Sequence, residues 1–71
     1  MIEKDLAYLA FELTGLLIKT FQKNIISTDV FKANTMLKVR YLEDYIKRND
    51  DDEENLRIMQ LLAHYNKVSG A

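Results

Sequence analysis

The chain has 71 residues, with ten basic and eleven acidic side chains and neither cysteine nor proline. That length bounds it to one small helical domain, residues 1–71, near the size at which a single core stops being sufficient for its own stability. The lack of cysteine excludes disulfides and thiolate metal sites, and the lone His64 cannot build a zinc site without carboxylates, which leaves helix packing or oligomerisation to hold the chain together.

The first helical pattern runs from Ile2 to Lys23. Ile2, Leu6, Leu9, Ala10, Leu13, Leu16, Leu17 and Phe21 form one face, and Ala7, Phe11 and Ile18 extend it until the apolar arc covers roughly 220° of the helix, against the ~100° that a surface helix needs. Two further helices can cover only part of such an arc. The expectation is that the leucine face packs inward and that Ala7, Phe11 and Ile18 are left as a surplus, with Tyr8 as an exposed aromatic anchor beside them. These four residues are the candidate interface. Glu12 and Thr14 interrupt the stretch Leu6 to Ile18, which falls short of the ~20 apolar residues a membrane span requires. Met1-Ile2-Glu3-Lys4-Asp5 mixes charges and is followed by no small-residue cleavage site, so no signal peptide is expected and the cytoplasm is the expected location.

Asn24-Ile25-Ile26-Ser27 supplies a stop and a start together. Asn24 can adopt the left-handed conformation that ends a helix, Ser27 is a good N-cap, and Asp29 puts negative charge in the next first turn. Ile26 and Phe31 have the spacing of a hydrophobic staple, so a tight helical hairpin is expected. The second helix, Thr28 to Arg48, carries an apolar stripe of Val30, Phe31, Leu37, Tyr41, Leu42, Tyr45 and Ile46.

The next break is Asn49 followed by Asp50-Asp51-Asp52-Glu53-Glu54. Either Asp50 with Glu53 or Asp51 with Glu54 could form a capping box, and Lys47 and Arg48 complement the dipole at the end of the preceding helix. An EF-hand reading fails, because counting from Asp50 puts Asn55 where the turn glycine belongs and Leu61 where the bidentate glutamate belongs. The third helix, Asp52 to Val68, centres its stripe on Ile58, Leu61, Leu62, Tyr65 and Val68. His64 falls on its polar side near Arg57, Gln60 and Lys67, away from any orienting carboxylate.

The fold expected is therefore all-α, a three-helix antiparallel bundle made of a helical hairpin plus a third helix and completed by dimerisation. No glycine-rich phosphate loop, nucleophile pairing or metal-ligand spacing points to an enzyme or a cofactor. Between Lys19 and Arg48 basic residues exceed acidic ones by four, seven against three, but they scatter around the helices and mix with Glu43 and Asp44. That is a solvent face, not a phosphate track, so nucleic acid is not the favoured partner and a small DNA-binding regulator is the alternative. The function expected is that of a non-enzymatic interaction or regulatory protein that self-associates as a homodimer or binds a protein partner.

Overall fold

The computed structural model describes residues 2–70. Three helices, α1 (Ile2–Gln22), α2 (Thr28–Arg48) and α3 (Asp52–Val68), fold into an antiparallel bundle in which α1 packs against both of the others. None of the helices among the described residues is long and apolar enough to cross a membrane.

Both breaks form through the local chemistry the sequence carries. Asn24 sits at φ 61°. Its N–H bonds to the Phe21 carbonyl, and that of Ile25 reaches the Thr20 carbonyl, each at 3.0 Å. This pair of bonds is the Schellman arrangement, which satisfies two carbonyls at the end of α1. Ser27 Oγ then accepts from Val30 N–H at 3.2 Å and opens α2. At the second break Asp51, and not Asp50, is the cap, accepting from Glu54 N–H at 3.1 Å. The Glu54 side chain does not return to complete a capping box; it turns toward α1 and α2 instead.

The core departs from the sequence expectation at α1. Its inward stripe is Ala7, Ala10, Thr14 and Ile18, all buried. These residues are spaced 3, 4 and 4 apart, the spacing of one helical face. Against them stand Phe31, Val39, Leu42 and Tyr45 of α2 and Ile58 and Leu62 of α3. Phe31 stacks on Phe21 with ring centroids 4.3 Å apart and meets Tyr65 at 5.6 Å. Bulk thus comes mainly from α2 and α3, and small residues on α1 let those side chains approach its backbone closely. A leucine face turned inward would overfill the same space.

Two threonines are fully buried. Thr35 Oγ1 donates to the Phe31 carbonyl at 2.8 Å and lies 3.1 Å from the Tyr65 hydroxyl. Thr14 Oγ1 has no hydrogen-bond partner among the described residues.

Candidate functional site

With Ala7, Ala10, Thr14 and Ile18 inward, a row of larger apolar residues of α1 faces out. Ile2 is 78% exposed, Leu6 50%, Leu9 51%, Leu13 37% and Leu16 57%. Their separations of 4, 3, 4 and 3 residues are those of a coiled-coil seam, with Thr20 at the next position. From Ile2 to Leu16 the stripe is about 21 Å long, at 1.5 Å per residue. Isolated exposed apolar residues are ordinary; four leucines and an isoleucine in one row on one helix are not.

The candidate interface expected from the sequence is corrected here. Ala7 and Ile18 are 1% and 2% exposed, so neither is available to a partner. Phe11 is half-buried and packs against the core. Tyr8 is the exception and stands exposed at the rim of an open depression of about 350 Å³ between α1 and α3, whose floor includes Phe11 and Ile58. The surplus apolar face exists, but it is the opposite side of α1 from the one expected. The overlooked signal was Thr14: with Ala7 and Ala10 it forms a small-residue stripe that the bulkier Ile18 extends, and the leucine seam is what remains.

The two flanks of this seam differ in chemistry. On the flank toward α2 lie Glu3, Ala10 and Leu17, and α2 is reached there through the Tyr41 hydroxyl, which donates to the Glu3 carbonyl at 3.2 Å. Val30 and Leu37 share that edge of α2 with Tyr41, being 11 and 4 residues before it, and are 45% and 70% exposed. The apolar surface therefore continues from α1 onto α2. On the flank toward α3 lie Asp5, Glu12 and Lys19, all exposed. A second depression of about 310 Å³ runs along this flank past Gly15, Leu16 and Leu61. A Cβ built on Gly15 would lie 3.9 Å from Leu61 Cδ1, an ordinary contact, so close packing does not demand glycine there.

A polar cluster closes one end of the bundle. Glu54, whose side chain is 15% exposed, accepts from Lys4 Nζ at 3.0 Å, from the Tyr45 hydroxyl at 3.0 Å and from Asn49 Nδ2 at 2.8 Å, all on Oε1. Burial opposes the charge on Glu54, but the bonds from Lys4, Tyr45 and Asn49 outweigh it and hold the carboxyl below its ordinary pKa. Burial, followed by the bond to Glu54, raises the pKa of Tyr45, so it stays a phenol and a donor. Asn49 and Asn55 bond to each other, and Arg48 pairs with Glu3. The bonds on Glu54 Oε1 tie α1, α2 and the start of α3 together, so the cluster acts as a structural clamp.

His64 is exposed on α3. Among the described residues no group of three or more histidine, aspartate or glutamate side chains is placed to hold a metal ion, and within the Asp50–Glu54 run Asp51 caps α3 and Glu54 joins the clamp. No protein-family model matches the chain, and neither a curated protein nor a solved structure shows significant similarity to it.

Proposed function

We propose that the protein is a non-enzymatic interaction module that works as a self-associated assembly, joined through the outward leucine seam of α1. One observation carries this reading: Ile2, Leu6, Leu9, Leu13 and Leu16 stand exposed in a continuous 4-3-4-3 row, while α1 turns Ala7, Ala10, Thr14 and Ile18 into the core.

The seam supplies part of the surface that such a role needs. An interface of ordinary size takes about 800 Å² from each partner, roughly a sixth of the 5089 Å² that this chain exposes. The seam supplies a strip about 21 Å long and about 10 Å wide, and Val30 and Leu37 widen it. A strip of these dimensions favours reversible association in the micromolar range over an obligate dimer, because the translational and rotational cost of joining two chains consumes much of the gain.

Sedimentation equilibrium across a concentration series tests the reading. A mass that rises from one chain to two, and stays at one chain for Leu9→Glu, is the expected result. A wild-type chain that remains monomeric at every concentration would overturn it.

A further inference from the structure

Resting on the reading of α1 as a self-pairing helix, we infer that it meets α1 of a second copy in antiparallel register, with Asp5 of each chain facing Lys19 of the other.

The asymmetry of the two flanks decides the direction. A parallel twofold pairing sets the α2-side flank of each copy against the α3-side flank of the other. Asp5 and Glu12 would then oppose Ala10 and Leu17, and the apolar edge formed with Val30 and Leu37 would border charge. An antiparallel pairing brings like flanks together. Leu17, Val30 and Leu37 of both copies then lie on one side, with Leu17 across from Glu3 of the second copy, and the exposed Asp5, Glu12 and Lys19 of both copies meet on the other.

The register follows from using the whole seam. Placing Leu6 opposite Leu16 of the second copy also sets Leu9 opposite Leu13 and Ile2 opposite Thr20, and the twofold repeats each pair. Sliding by seven residues in either direction leaves part of the row unpaired. In the full register the charged flank reads acid, acid, base along one chain and base, acid, acid along the other. Asp5 therefore faces Lys19 at both ends, and the two Glu12 side chains meet at the axis. The helix dipoles are opposed as well, which a parallel pair would not achieve.

The absence of native cysteine allows a direct test. Leu6→Cys and Leu16→Cys chains are made separately, checked for wild-type helicity by circular dichroism, mixed in equal amounts and oxidised. Disulfides joining position 6 to position 16 in excess of a random mixture are expected, as is dimer weakening of about tenfold for Asp5→Lys, from two exposed ion pairs reversed. Adding Lys19→Asp to that variant restores the dimer, and Glu12→Gln tightens it. Crosslinks of 6 to 6 and 16 to 16, a random mixture, or no rescue by the double exchange would each overturn the antiparallel register while the dimer itself stands. A wild-type chain that stays monomeric overturns the underlying reading instead.

Discussion

Leu9 and Ile18 lie on the same helix and carry similar side chains, yet the structure gives them opposite duties. Ile18 is 2% exposed, and Ile18→Ala should cost about 2–4 kcal/mol of folding stability from lost burial and the cavity left behind. In a domain this small that is a large share of the total. Leu9 is 51% exposed, so truncation in the isolated chain should change stability by only about 0.5 kcal/mol. Its effect appears on association. Burying the remaining half of a leucine contributes about 1 kcal/mol per copy, so Leu9→Ala should weaken a twofold dimer by about 2 kcal/mol, roughly thirtyfold in Kd. Leu9→Glu goes further, because it places a carboxylate against Leu13 of the second copy. The assay pairs sedimentation equilibrium with thermal melts followed by circular dichroism at two protein concentrations. The expected pattern is a folded, monomeric Leu9→Glu chain and a destabilised Ile18→Ala chain at every concentration. If Leu9→Glu unfolds the dilute monomer as badly as Ile18→Ala does, the leucine row is core and the orientation of α1 described above is wrong.

Other expectations follow from the buried and polar features. Thr14→Val replaces an unpartnered buried hydroxyl by a methyl of similar size and should stabilise the fold by about 1 kcal/mol, seen as a Tm rise of about 4–8 °C; an unchanged or lower Tm would contradict the orphan assignment. Asn24→Ala puts a Cβ without a compensating amide at φ 61° and should cost about 1 kcal/mol in denaturant midpoint experiments. Because the folded-state pKa of Glu54 lies below the ordinary 4.5, its stabilising contribution is complete above that value and is lost as pH falls through the folded-state pKa. Urea midpoints for wild type and Glu54→Gln should therefore converge on acidification below pH 4.5; curves that stay parallel would remove Glu54 as the cause.

The helices and their ends were legible in the sequence because they rest on local chemistry. Asn24, Ser27 and the Asp51–Glu54 pair act within a few residues of themselves, and the boundaries of α2 and α3 fall where those residues place them. The rotation of α1 was not legible. An apolar arc of roughly 220° offers more than one face to a core, and hydrophobicity alone ranks leucine above alanine or threonine for burial. What settles the choice is volume, which involves Phe31, Leu42 and Tyr45, far away along the chain. On α2 as well, Thr35 and Val39 are buried while Val30 and Leu37, counted on the stripe from sequence, remain exposed.

The polar clamp gives the rotation of α1 a second, independent determinant. Glu3 and Lys4 are neighbours in sequence and point about 100° apart around the helix. Glu3 is tied to α2 through Arg48 and through its carbonyl to Tyr41, while Lys4 is tied to α3 through Glu54 and Asp51. The direction between those two tethers is the direction of Ala7, one turn further on, and so of the small-residue stripe. At the other end of α1, Phe21 stacked on Phe31 fixes the same orientation. With both ends held, the row from Ile2 to Leu16 has no route into this chain's own core. The surface ion pairs add little to stability individually, but together they select which face of α1 remains exposed.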